Sequence, residues 1–214
     1  MIQLDQDGDV WTITLDRPDK ANALTPGMLA ELANVAERAQ TAKLFILTGT
    51  GRVFSAGADL DAAKAGLATS PDWERLSNAI AALPGLTVAA LNGTVAGGAC
   101  GMALACDLRI ATEGSKLFYP VMRLGFLPQP SDVVRMSRLI GPAQTKRILM
   151  AGQKITASDA LDMGLFQQIV SEGSLLATAR DLGSDTMGAD LRHVSAIKSM
   201  IDAAAPCPAT STTA

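Results

Sequence analysis

The stretch "VAGGACGMALACD", residues 95–107, carries one charge, at its last residue, and its second half has the apolar density of a buried helix. It nevertheless opens on Gly97 and Gly98 and has a third glycine at Gly101. Glycine disfavours helix by about 1 kcal/mol relative to alanine, so three of them at one helix start imply a need for bare backbone. Just upstream, "LTVAALNG" (86–93) reads as a short buried strand. The local unit is therefore strand, glycine-rich corner, helix.

The same unit precedes it. "KLFILTG" (43–49) is a second buried strand, and "GTGRVFSAGADL" (49–60) leads from it through another small-residue corner into a helical region. Further upstream the first fifteen residues alternate like a hairpin, with Trp11, Ile13 and Leu15 on one face of its second strand, and "DRPDKANAL" (16–24) is rich in turn formers. Thr25 caps a helix with Pro26 at its first position, and Leu29, Leu32, Val35, Ala36 and Ala39 share one face. Downstream, "LRIAT" (108–112) and "KLFYP" (116–120) are short strands, and Ser131 and Pro142 each start a helix. Thr156 with Asp159 makes a capping box, "LFQQIV" (165–170) is a strand and 190–204 a last helix. Residues 1–205 thus read as one domain, with 206–214 as a disordered tail. Alternating strands and helices indicate an α/β fold.

Composition narrows the function. With 214 residues, 48% of them hydrophobic, the chain is long enough to close one sizeable core. Eighteen Lys and Arg against 21 Asp and Glu give a net charge of -3 with no basic run, so neither nucleic acid nor a polybasic membrane contact is expected. Cys100 and Cys106 lie in the apolar run and Cys207 in the tail, which suggests reduced thiols in a cytoplasmic protein, and no metal-ligand spacing is present. Residues 76–106 contain no charge and exceed the length of a spanning helix, but Pro84-Gly85, Asn92-Gly93 and Gly97-Gly98 cut them into strand- and helix-sized pieces. No membrane span and no export leader are expected.

The two corners "FSAGADL" (54–60) and "NGTVAGGACG" (92–101) both follow a buried strand and precede a helix. The first amides of a helix have no intrahelical partner, and small residues leave them open to whatever lies beyond. Two such donors meeting at one point would form an oxyanion hole. Small residues at these corners would equally let strand and helix pack closely, and spacing alone leaves both readings open.

"VFSAGADL" followed by "AALNGTVAGGACGMALACDLRIA" resembles the crotonase superfamily, the enoyl-CoA hydratase/isomerase family. "DRPDKANAL" upstream and "GQKITASDALDMGLFQQIV" downstream resemble the same family in order and spacing, so the likeness runs over residues 10–170. It implies a crotonase-like spiral of ββα units in a single domain with a shortened C-terminal helical region. It also implies a homotrimer or dimer of trimers, and an acyl-CoA thioester whose coenzyme A is part of the substrate rather than a resident cofactor. Carried over by position, the amides of Ala58 and Gly98 grip the thioester oxygen, and Lys20, Ala21, Ala23, Ala56, Asp59 and Leu60 line the coenzyme A site. Arg17 and Lys20 would offer positive charge to its phosphates, or are simply solvated. Members usually continue with further helices, so the acyl pocket is expected to be open or completed by a neighbouring subunit.

The resemblance fails at the proton carriers. Where family hydratases have two glutamates this chain has Gly101 and Val121, and neither can move a proton. A further acid position of some members is Gln129. Asp132 lies three residues on, but at a helix start Ser131 and Asp132 are read as capping and dipole residues. Tyr119 is the single tyrosine, read as a core aromatic, and His193 the single histidine, read as a surface residue. A serine hydrolase of the related Clp type would need His193, and no G-x-S-x-G is present. "TGTGRVF" is not a dinucleotide fingerprint, because Phe54 stands in place of its third glycine. The expected function is therefore an acyl-CoA-processing lyase or isomerase in which ordinary hydration lacks its proton carriers. Decarboxylation, retro-Claisen cleavage and thioester hydrolysis stay open, as does a coenzyme A or acyl-CoA binding protein without chemistry.

Overall fold

The computed structural model describes residues 1–204. The tail expected at 206–214, with Cys207, lies outside the described residues. A hairpin of β1 (Ile2–Asp7) and β2 (Val10–Leu15) opens the chain, and α1 (Pro26–Arg38) follows with the Thr25 side chain accepting the Met28 amide as expected. Then β3 (Leu44–Gly49), β5 (Leu86–Leu91) and β7 (Leu108–Thr112) are laid parallel beside β2, but each is interrupted by a short companion strand in a second sheet. These companions are β4 (Val53–Ser55), β6 (Thr94–Ala96) and β8 (Lys116–Phe118). Helices α2 (Leu60–Lys64), α3 (Asp72–Ala81), α4 (Ala99–Ala105) and α5 (Val121–Leu124) sit in the returns. Each turn of the chain is thus strand, second strand, helix, which makes the expected ββα spiral.

Beyond it come α6 (Pro130–Leu149), β9 (Ile155–Thr156), α7 (Ala157–Asp162), β10 (Gln168–Val170), α8 (Leu175–Asp181), α9 (Ser184–Gly188) and α10 (Leu191–Ala204). The large sheet has the order β1-β2-β3-β5-β7-β10 and the small one β4-β6-β8-β9. The capping box of Thr156 and Asp159 is formed at α7.

The near-continuous apolar runs are explained by a sheet buried on both faces. In β3 and β5, Phe45, Leu47, Ala89 and Leu91 face the main core with α1, α3 and α4, while Leu44, Ile46, Val88 and Ala90 face a second cluster with Leu175 and Ala179 of α8. A leucine such as Leu29 or Leu32, removed fully from water, contributes roughly 2 kcal/mol. Among the described residues no helix is long and apolar enough to cross a membrane.

Two boundaries differ from the sequence reading, and the helix start at Pro142 agrees with it. α6 starts at Pro130 with Gln129 as its cap residue, one position before Ser131, because proline is favoured at the first helical position. Pro142 does restart the helix, after a break at Gly141 (φ 74, ψ 165), so 130–149 is two helical pieces end to end. Leu165 and Phe166 belong to the core ahead of a strand that is paired only over Gln168–Val170.

Candidate active site

The turn 17–24 is the first component. Ala21 and Asn22 both have left-handed backbones (φ 50 and 52), a conformation that asparagine tolerates better than most residues. Asn22 is fully buried: its amide donates to the carbonyls of Thr50 and Val53, and its Oδ1 accepts the Arg17 amide. This places 20–24 alongside 56–59, joined by Ala56 N–H to Ala21 O (2.9 Å), Leu24 N–H to Gly57 O (2.8 Å) and Asp59 N–H to Leu24 O (2.9 Å). Lys20, Ala21, Ala23, Ala56, Asp59 and Leu60 are therefore brought to one place. Lys20 and Ala56 are exposed, Leu60 is 80% exposed, and Ala23 is buried.

Two of these side chains are already engaged. Arg17 pairs with Asp59 at 2.8 Å and also donates to Ala23 O, so its charge is largely neutralised. Asp59 caps α2 by accepting the Asp61 and Ala62 amides. The Arg17 hydrogen bond, and then the Ala62 amide, hold its carboxyl below the usual carboxylate range.

Ala58 owes its free amide to the bridge beside it. The parallel Leu24–Ala58 pairing uses the carbonyl of Gly57 and the amide of Asp59, the residues flanking Ala58, which turns the Ala58 N–H to the other side. At the second corner Gly97 N–H donates to Phe118 O, and Gly98 follows just ahead of α4, where an amide has no helical partner. Neither the Ala58 nor the Gly98 amide donates to a protein group among the described residues, and both residues are half-buried.

The corners touch. A Cβ on Gly57 would stand 2.8 Å from Ala96 O and 3.3 Å from Gly98 N, and Gly57 and Gly97 have φ of +90 and +57. Gly57 is thus fixed by backbone conformation and close approach together, and Gly97 by its backbone conformation. Gly98 has an ordinary φ of −59, but a Cβ there would lie 2.9 Å from the Trp73 ring. Trp73, buried and held by its Nε1–H to Leu67 O (2.8 Å), is the wall against which this corner packs. Helical periodicity marks Trp73 as core but carries no sign of which glycine it meets.

Gly101, one turn on, is glycine for a different reason. A Cβ there would stand 2.7 Å and 2.9 Å from the two carboxylate oxygens of Asp132. Asp132 is in the first turn of α6, where its charge suits the helix dipole, but it does not cap the helix. Instead its Oδ2 accepts the Tyr119 hydroxyl at 2.7 Å, and the capping expectation for it is corrected by that bond. Ser131 does not cap either; its hydroxyl donates to Glu74 Oε2. Asp132 is fully buried, and its Oδ1 has no hydrogen-bond partner among the described residues. Burial pushes its carboxyl up to about 6, against the lowering effect of the Tyr119 bond and the Arg135 charge. Tyr119 is pushed well above the usual phenol range by burial and by the neighbouring Asp132 charge.

Val121 is buried beside Tyr119 and lines an apolar groove of about 490 Å³ with Met122, Phe126, Leu127, Val133 and Leu149, to which neither Ala58 nor Gly98 contributes. His193 lies exposed on α10, and Cys100 and Cys106 are buried and unbonded to each other. Burial raises both thiols, Cys106 to about 12, so neither is a thiolate near neutral pH.

Residues 5–213 match the family model described as Enoyl-CoA hydratase/isomerase. YngF of Bacillus subtilis is 36% identical over 184 residues, covering 80% of this chain and 70% of its own. The short-chain-enoyl-CoA hydratase of Clostridium acetobutylicum is 32% identical over 194 residues, covering 85% and 73%. Among solved structures, DspI of Pseudomonas aeruginosa superposes with a TM-score of 0.87 at 28% identity, covering 95% of this chain and 86% of its own. With its ββα spiral and these matches over most of its length, this chain belongs to the enoyl-CoA hydratase/isomerase, or crotonase, family.

Proposed function

We propose that the protein binds an acyl-CoA thioester with its carbonyl oxygen between the amides of Ala58 and Gly98 and stabilises the enolate or tetrahedral oxyanion formed from it. The observation that carries this reading is a pair of backbone donors, on two touching corners, that no protein acceptor uses among the described residues. Such donors are fixed before the reaction and bind the charged oxygen more tightly than the neutral carbonyl, and each contributes about 3 kcal/mol to lowering the barrier. Coenzyme A would lie along 20–24 and 56–60, with Lys20 free to meet its phosphates and Leu60 offering an apolar face. Asp59 contributes there through its backbone, its carboxylate being engaged by Arg17 and the helix cap. The apolar groove that includes Val121 suits an acyl chain. The homotrimer or dimer of trimers of the family is the assembly this reading carries with it.

Gly101 and Val121 set this protein apart from an ordinary hydratase, which needs one group to take a proton from water and another to deliver one to carbon. They also favour a second reading, a coenzyme A or acyl-CoA binding protein without chemistry. Isotope-edited infrared spectroscopy of bound butanoyl-CoA labelled with ¹³C at the carbonyl tests the first reading directly. Two amide donors lower the carbonyl stretch on binding. Binding without any such shift would leave only the non-catalytic reading.

A further inference from the structure

The carboxyl of Asp132 is buried, half bonded among the described residues and pointed at α4. Its Oδ2 is fixed by the Tyr119 hydroxyl, and its Oδ1, without a donor, lies 2.7 Å from where a Cβ on Gly101 would stand. The carboxyl therefore fills the space from which any side chain at 101 would start. Gly98 and Gly101 are three residues apart at the start of α4, a spacing that puts two side-chain positions about 5–6 Å apart. The position that the carboxyl faces is thus one helical turn along the chain from Gly98. A buried carboxylate oxygen without a donor costs stability, on the order of 1–3 kcal/mol or more, and a leucine would pack the same space without that cost.

We propose that Asp132, reaching from α6 into the gap left by Gly101, is the proton carrier of this site, and that Tyr119 is its positioning residue. The inference rests on the thioester reading above. Asp132 Oδ1 takes a proton from C2 of the bound acyl chain. The C–H electron pair becomes the carbon–carbon double bond of the enolate, and the carbonyl π pair moves onto the oxygen held by Ala58 and Gly98. With a 3-enoyl chain, return of the proton to C4 moves the double bond into conjugation with the thioester, and return to C2 restores the starting compound. No net charge or atom is left over in either direction, and a single carboxyl serves both half-steps.

The groups facing Asp132 set its working range. They are Tyr119, Cys100 on α4, Glu74 on α3 and Arg135 on its own helix. Burial and Glu74 raise the carboxyl, Tyr119 and Arg135 lower it, and the balance near 6 leaves a base that is ionised at neutral pH yet stronger than a solvated aspartate.

The test uses the whole protein in deuterated water with but-3-enoyl-CoA, following deuterium at C2 and C4 by mass spectrometry, beside calorimetric binding of butanoyl-CoA. The unaltered protein is expected to exchange, with the rate falling as pH drops through about 6. Asp132→Asn should lower exchange by about 100-fold or more while thioester affinity moves less than about threefold. Tyr119→Phe removes the bond that lowers the carboxyl, so the acid limb should move to higher pH. Exchange by Asp132→Asn close to the unaltered rate, or an acid limb unmoved in Tyr119→Phe, would overturn the role of Asp132. If Asp132→Asn does not fold, the Tyr119→Phe profile decides alone. Absence of thioester binding to the unaltered protein would overturn the underlying reading as well, whereas binding with a shifted carbonyl but no exchange overturns Asp132 only.

Discussion

Gly101 and Asp132 fit one another: one residue has no side chain and the other places its carboxyl in that space. Restoring glutamates by Gly101→Glu with Val121→Glu should therefore fail, since the new Cβ would stand 2.7 Å from a buried oxygen. Overpacking of this kind costs about 1–3 kcal/mol, so a lowered melting temperature and no gain in crotonyl-CoA hydration are expected. Adding Asp132→Gly clears the space, and the triple variant should hydrate crotonyl-CoA about 100-fold faster than the double one in a spectrophotometric assay. At position 58, incorporating the α-hydroxy analogue of alanine replaces the amide by an ester and deletes the N–H alone. Because that N–H has no protein partner among the described residues, the melting temperature should hardly change. The exchange rate with but-3-enoyl-CoA should nonetheless fall about 10²–10³-fold, and the infrared shift of the bound carbonyl should shrink.

At the scale of elements, α4 is anchored at its far end by a residue that no motif marks. Arg109 in β7 is 1% exposed and donates to Leu165 O, Ala103 O, Cys106 O, Asp107 O and Gln167 Oε1. Two of these acceptors lie at the end of α4, Ala103 in its last turn and Cys106 as its cap residue, where a cation also suits the dipole. Burial lowers its basicity, the neighbouring Cys106 and Asp107 oppose that, and backbone carbonyls with the Gln167 amide oxygen hold the guanidinium. Arg109→Met would leave several buried carbonyls unpaired. A loss of about 3 kcal/mol, or a melting temperature lower by about 10 °C, is expected by calorimetry.

Sequence made such elements visible where a local rule governs them. Thr25 and Pro26 start α1, Thr156 and Asp159 start α7, and the unbroken apolar runs of β3 and β5 announce a sheet covered on both faces. The three-residue companions β4, β6 and β8 have too few residues to show a period, and they exist because neighbouring turns of the spiral lie side by side. The corners 56–58 and 96–98 stood out by composition, while Trp73 against Gly98, Arg109 under α4 and Tyr119 on Asp132 are tertiary pairings that no local spacing encodes. Asp132 misled for that reason: its position in a first helical turn suggested a cap, and only the packing of α6 on α4 shows where its carboxyl lies.

For the whole molecule, keeping an ionisable group at that place has a price in stability that depends on pH. Asp132 is raised from an ordinary 3.8 to about 6 in the folded chain, so between those values the folded state binds more protons than the unfolded one. Stability then falls as pH rises through this window, and above it the carboxylate is a constant penalty. Two pKa units correspond to roughly 3 kcal/mol. Asp132→Asn has no proton to exchange, so its own contribution should be flat across pH 4–6. Denaturant unfolding should find the variant gaining on the unaltered protein from pH 4 upward, with the advantage levelling off above about pH 6. A protein stabilised by the same substitution that stops proton exchange would show that the carboxyl is held there for chemistry, against the preference of the fold. Equal pH slopes for both proteins would mean that Asp132 titrates like a solvated aspartate and bears no such strain.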